Sequence, residues 1–379
     1  MKVTQLHTLI NSVTKEILGE TGVIQEDLGN VVDIGKAVFN ATAVDNYVKT
    51  LVNHIGKVVF VNRLYAGGVP SVLMDSWEFG SVLEKISTDM PDAKESDSWK
   101  LEGGTSYDPN IFYKPIVSAK FFNSKTTFEI PLSFTEIQVK ESFSSKEQLN
   151  GFVSMLVTSV ENSMTVKLDA LIMRTINNMT GEVLMGGNAV QKVNLLAAYN
   201  AQAATPTTVE KCLTNPEFIR FATATIGTYQ DRMSKVSTLF NVEGAKRFTP
   251  KDLQHVVLLS DFAKASETYL QSDTYNKELV ALPKHETVPY WQGSGKAYAF
   301  ADISSIDVKT TSNKTAKQSG ILGVVFDRDA LGVANLDRRV TTNYNARAEF
   351  YTNFYKFDAG FYNDLSENFV VFVVEAAGG

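Results

Sequence analysis

Few residues in this chain have the types and spacing that chemistry requires. Gly293-Ser294-Gly295-Lys296 has the glycine-lysine end of a phosphate loop. The glycine that should open such a loop and the hydroxyl residue that should follow Lys296 are both missing, so the backbone cradle for a phosphate cannot form and a turn is expected. Asp327-Arg328-Asp329 offers two alternate carboxylates, but no further ligand, turn glycine or distal glutamate arrives at calcium-loop spacing. The pair is read as a polar strand end. His285-Glu286 lacks the second histidine of a zinc-protease helix, and no glycine-flanked serine elbow is present. Cys212 is the sole cysteine, and the scattered His7, His54, His255 and His285 do not complete a metal cage with it. Asn40-Ala41-Thr42, Asn178-Met179-Thr180 and Asn313-Lys314-Thr315 match the glycosylation triplet, which has no use without a secretory route. The residues therefore predict no catalytic, cofactor-binding or metal site.

The elements that such residues would need are nonetheless well supplied. The chain has 379 residues, 44% hydrophobic and 11% aromatic, enough for a large core divided over two or three compact parts. Its 36 basic residues stand against 42 acidic ones, a net charge of −6, which argues against a surface built to neutralise phosphates. The single cysteine fits a reducing compartment. No apolar run approaches the roughly 18–20 residues of a membrane span, and Met1 to Val13 lacks the continuous apolar stretch of a signal peptide.

Along the chain, Leu6, Leu9, Ile10, Val13 and Ile17 repeat at helical spacing, and so do Val44, Tyr47, Val48, Leu51, Val52 and Ile55. Gly22 to Gly35 shows no clear period, so the first residues read as an arm laid along another surface. Val58 to Tyr65 reads as strand. Glu84 to Asp108 is a polar stretch in which seven acids outnumber three lysines, the signature of a solvated face. Phe128, Ile130, Leu132 and Phe134 alternate with polar positions and Pro131, a half-buried edge strand. A long two-stranded excursion is the expected sum. From Lys146 to Asn178 apolar residues recur every three or four positions, which predicts one unusually long helix. Asn215 before Pro216 marks the start of another, and Asp261 of a shorter one carrying Phe262. Strands are predicted at Val256 to Leu259, Leu279 to Leu282, Ala297 to Phe300 and Ile321 to Phe326, with Thr310 to Ser319 a polar connection. Between Tyr344 and Phe372 ten of twenty-nine residues are aromatic, ring area that must be buried within the subunit or between subunits.

This order of parts resembles the major capsid proteins of tailed phages with the HK-ninety-seven fold, above all those of the small phi-twenty-nine-like podophages. Gly80, Glu84, Ile86, Thr88 and Asp89 are similar in spacing to that family's hairpin segment, and Phe152-Val153-Ser154 followed by Asn162-Ser163 to the start of its long helix. The strand His255 to Ser260, the aromatic run Phe350 to Phe357 and Phe369 to Val373 follow in matching order. The resemblance implies an α+β chain: an N-terminal arm (1–55), an extended β-hairpin or E-loop with flanking peripheral-domain strands (56–140), a spine helix of the peripheral domain (141–180), an α/β axial domain (181–335) and return strands of the peripheral domain (336–379).

It further implies a non-catalytic protein that assembles with many copies of itself, as hexamers and pentamers, into an icosahedral or prolate head shell. Such a shell encloses double-stranded DNA without reading its sequence, in a virion assembled in the host cytoplasm. A scaffolding protein and a portal protein at one vertex are the expected partners; no membrane and no cofactor are. A net acidic chain suits a wall around packaged DNA, which a strongly basic inner face would hold during filling. The chain ends shortly after Val374 and carries no long charged segment before Val44, so neither an added surface domain nor an attached scaffold is expected. The resemblance licenses no isopeptide cross-link. A shell subunit must bury surface against neighbours, and Trp77, Phe79, Glu84, Ile86, Asp89, Trp99, Phe128 and Phe134 are the candidate interface residues. Two other readings stay open: an encapsulin-like compartment shell, and a soluble enzyme without a recognisable motif.

Overall fold

A computed structural model describes residues 3–19, 23–25, 30–41, 44–61, 69–74, 83–88, 93, 95, 100, 102–106, 110, 112–271, 284–292 and 299–376. The chain divides into two compact units, one of residues 1–78, 125–176 and 332–360, the other of 79–124, 177–331 and 361–379.

The first unit begins with α1 (Val3–Leu18), α2 (Val31–Ala41) and α3 (Val44–Val61), which pack on one another. Leu9, Ile10 and Val13 of α1, Ile34 and Val38 of α2, and Tyr47, Val48, Leu51 and Val52 of α3 are buried. Where the sequence reads as an arm, these helices share a small core, into which Phe143 packs with its ring 5.2 Å from that of Tyr47. α2 was hidden because Gly35 interrupts the Val31, Ile34, Val38 stripe. Of the strand expected at Val58 to Tyr65, 58–61 instead continue α3, whose helical stripe outweighs the β-branched Val58 and Val59, and 62–65 lie outside the described residues.

A four-stranded sheet follows, in the order β1 (Leu73–Met74), β11 (Leu331–Asn345), β12 (Phe350–Asn363), β4 (Lys125–Thr135). β12 runs antiparallel to β4 from Phe350 opposite Thr135 to Gly360 opposite Lys125. β4 is an edge strand, as Pro131 requires. Its partner is the C-terminal β12, however, so it is not the return strand of an excursion. The buried amide of Asn353 ties three strands together, accepting from the Thr342 hydroxyl at 2.9 Å and donating to the Leu132 carbonyl at 3.2 Å. At the end of β4, Thr135 and Gln138 form a reciprocal capping box that starts α4 (Glu136–Ser142).

The long helix α5 (Lys146–Gly186) has 41 residues, roughly 60 Å at the usual rise. Leu149, Val153, Leu156, Val160, Met164, Leu168, Leu171, Ile172 and Ile176 form its buried stripe. The helix passes the expected end at Asn178 because Met179 and Val183 prolong the stripe. Gly181 does not stop it: a side-chain carbon there would lie 2.4 Å from the Val308 side chain, so a bare glycine is what the packing needs.

The second unit holds a five-stranded sheet in the order β5 (Lys192–Asn194), β13 (Phe369–Val373), β10 (Ile321–Asp327), β6 (Gln254–Leu259), β7 (Glu286–Val288). β10 and β13 are buried at every residue, which is why they read as unbroken apolar runs. α6 (Leu195–Asn200), α7 (Pro216–Met233) and α8 (Ser260–Gln271) pack into one apolar cluster with Val256, Leu258, Leu322, Val325, Val370 and Phe372 of the sheet. The Asn215 side chain caps α7 by accepting from the Glu217 and Phe218 amides. Phe300 opens the short helix α9 (Phe300–Ile303), with 297 and 298 and the strand expected at Leu279 to Leu282 outside the described residues. The polar connection at Thr310 to Ser319 turns out to carry half of a hairpin, β8 (Ile306–Lys309) against β9 (Thr315–Gln318). This unit also contains a two-stranded ribbon, β2 (Leu83–Thr88) against β3 (Val117–Phe122), which pairs with no other described strand.

Candidate functional site on the β2–β3 ribbon

The ribbon is built by alternation. Its register sets Leu83 opposite Phe122, Lys85 opposite Lys120 and Ser87 opposite Ser118 on one face, and Glu84 opposite Phe121, Ile86 opposite Ala119 and Thr88 opposite Val117 on the other. The first face is half-buried at Leu83, Lys85, Ser87, Lys120 and Phe122, while the second is open to solvent. Ile86 is 65%, Val117 59% and Phe121 63% exposed, and just before β3 Phe112 and Tyr113 stand 83% and 80% exposed. The ribbon thus leaves several large apolar side chains in water on one face.

Two like charges directly opposite each other would push the strands apart. Here they share a counter-ion. Lys85 Nζ meets Asp364 Oδ2 at 2.8 Å and Lys120 Nζ meets Asp364 Oδ1 at 2.9 Å, and the Asp364 side chain is fully buried. Lys85 also pairs with Glu367 and Lys120 with Glu243, each at 2.8 Å, and Arg247 Nε lies 3.2 Å from Glu367. Three cations thus face three carboxylates. The turn holding Asp364 is itself pinned: the Asp364 amide donates to the Ala330 carbonyl, and its carboxylate accepts from the Ser366 amide and hydroxyl. Burial alone would raise the Asp364 carboxyl, but hydrogen bonds from Lys120, Lys85 and Ser366 outweigh it and hold the group down at about 2. For Glu367 burial wins and the carboxyl is pushed up, whereas the acids around Lys85 and Lys120 overcome burial and raise both amines.

The candidate interface residues separate clearly. Glu84 and Ile86 lie on the open face of the ribbon. Trp77, Phe79, Asp89 and Trp99 lie outside the described residues. Phe128 is half-buried with its ring 5.1 Å from that of Phe357. Phe134 is taken up by its own chain, buried between Phe152 at 5.4 Å and Tyr351 at 6.0 Å, because β4 joins the four-stranded sheet and turns this position into its core. The exposed Phe112, Tyr113, Val117 and Phe121 escaped the sequence reading, although an apolar run from Ile111 to Val117 broken only by Lys114 and Pro115 was there as a signal. Nothing in sequence pairs Lys85 and Lys120 with Asp364, which lies far along the chain.

The residues considered for chemistry have structural employment. Asp327 ends β10, where its carboxylate accepts from the Thr249 hydroxyl at 2.6 Å and the Asp329 amide at 2.8 Å. Burial pushes the Cys212 thiol up to about 11, which leaves no reactive thiolate. His255 packs its ring 5.6 Å from Phe326, and burial lowers its basicity. The phosphate-loop fragment Gly293 to Lys296 lies outside the described residues. Among the described residues no three His, Cys, Asp or Glu side chains are placed to hold a metal, and no helix is long and apolar enough to cross a membrane.

Known proteins match this arrangement. The capsid structure of Staphylococcus phage Andhra aligns with a TM-score of 0.50 at 12% identity, covering 83% of this chain and 86% of that one, a likeness of fold. The major capsid protein of Bacillus phage GA-1 is 24% identical over 172 residues, a stretch that covers 43% of this chain and spans only 34% of that relative's length. The profile of the Phi29-like phage major capsid proteins matches residues 10–373. With a family match over nearly its whole length and a mixed helix-and-sheet fold like that of phage capsids, the chain belongs to the Phi29-like phage major capsid protein family.

Proposed function

We propose that this protein is the non-enzymatic wall unit of a phage head, many copies of which close as hexamers and pentamers into a shell around double-stranded DNA. In this reading the β2–β3 ribbon belongs to the extended loop, α5 is the spine helix of a peripheral domain completed by β4, β11 and β12, and the five-stranded sheet belongs to the axial domain. A separate scaffolding protein directs closure in the host cytoplasm, and a portal occupies one vertex.

The observation that carries the reading is the open face of the ribbon. Ile86, Val117 and Phe121 are held outward by the strand register, with Phe112 and Tyr113 beside them in sequence, while the other described strands bury or half-bury their large apolar side chains. A neighbouring subunit removes this area from water at about 25 cal/mol per Å2. Electron microscopy of the expressed chain, alone and with its candidate scaffold, is expected to reveal closed particles. A wild-type chain that sediments as a monomer under every assembly condition overturns the proposal.

A further inference from the structure

We infer that the Asp364 turn is a charge latch that holds the β2–β3 ribbon in a single pose against its own unit. The latch lies wholly within the second unit and is independent of shell formation. The ribbon pairs with no other described strand, and a two-stranded ribbon by itself is marginal in water. Its inward face offers little apolar area, the ring contact of Phe122 with Tyr362 at 5.0 Å lying at the base. Beyond the base the hold passes to Lys85 and Lys120, neighbours across the ladder, which close on the two oxygens of one buried carboxylate.

Every element around the latch supplies a charge or a dipole to it. β2 and β3 bring the lysines, the turn at 364–367 brings Asp364, Ser366 and Glu367, and the loop at 241–249 brings Glu243 and Arg247. The Asp329 carbonyl accepts from Lys85 at 3.3 Å, and the carboxylates of Asp327 and Asp329 and the Tyr362 phenol lie within the same field. Because the cations and anions of the ion-pair set balance, opening the ribbon strands both partners: two adjacent lysines on one side, and a buried carboxylate on the other. The latch is therefore local and all-or-none. It fixes the direction in which Ile86, Val117 and Phe121 are presented.

Hydrogen exchange on the full-length protein tests the latch. In the K85Q/K120Q double variant, which leaves the Asp364 turn untouched, amides of 83–88 and 117–122 are expected to exchange roughly tenfold faster or more, with β10 and β13 unchanged. D364N should give the same pattern, and D364E, which keeps the charge, should recover part of the protection. Ribbon protection equal to wild type in K85Q/K120Q overturns the inference. So does an equal loss across ribbon, β10 and β13, since the cluster would then stabilise the whole unit and latch nothing in particular.

Discussion

At the scale of single residues, the protein places its most consequential charge where water cannot reach it. Asp364 keeps its proton off because three donors converge on it, and the sign of the resulting pH dependence follows. Its carboxyl is depressed from 3.8 to about 2, so its contribution is complete above its ordinary range and fades as the pH falls toward 2. Lys85 and Lys120 are raised above 10.5, so theirs is complete below that value and fades as the pH climbs past it. Glu367, raised by burial, works in the opposite sense to Asp364: its contribution is present below its ordinary value of 4.5 and is lost as the pH rises through its raised folded value. Ribbon protection, corrected for intrinsic exchange, should accordingly fall as the pH drops from 3.8 toward 2 and again as it climbs past 10.5. Protection unchanged down to pH 2 would contradict the assignment of charges.

Gly320 makes a second prediction at this scale. Its φ of +75° is open to glycine, and a side-chain carbon there would fall 2.2 Å from the Val374 carbonyl oxygen. Gly320→Ala should cost at least about 2 kcal/mol, read as a lowered midpoint in denaturant.

At the scale of elements, local signals succeeded where a short-range cause sufficed. Asn215 and Pro216 announce the start of α7 because the cap and the fixed proline angle act within one turn. Asn215→Ala should therefore lower stability by about 1 kcal/mol, checked by thermal unfolding of the second unit's signal. The stripe of α5 was legible as period, but its end was not, because Gly181 is accommodated by a hairpin more than a hundred residues later. β4 was legible as an edge strand from Pro131, yet its partner was not. Alternation states which face of a strand is buried and is silent on which strand lies beside it. The same silence sent Phe134 to a subunit contact, when pairing with β12 encloses it in the sheet's own core.

For the whole molecule, the proposed dependence on neighbours rests on fewer residues than the sequence reading supposed. The aromatic tail was expected to need shelter somewhere, and the chain supplies much of it: Tyr351, Tyr355, Phe357, Tyr362, Phe369 and Phe372 are buried without any second copy. The ribbon's open face is not so covered. Assembly should accordingly be separable from folding. I86S/F121S, which adds no charge opposite Glu84, is expected to keep the circular dichroism of wild type and its unfolding free energy within about 0.5 kcal/mol, as exposed positions do, while losing large particles in sedimentation. Normal particles from this variant would remove the ribbon from the contact.

The amino-acid sequence by itself determined the class of the protein, the long helix, the buried strands and the poverty of catalytic groups, because composition, period and motif spacing are local quantities. Only the tertiary structure decided that α1 packs on α2 and α3, that β4 joins a strand more than two hundred residues away, and that two lysines of the β2–β3 ribbon close on Asp364. Those are contacts between distant segments, and the free energy that selects them comes from burying particular surfaces and charges together, which no local pattern records.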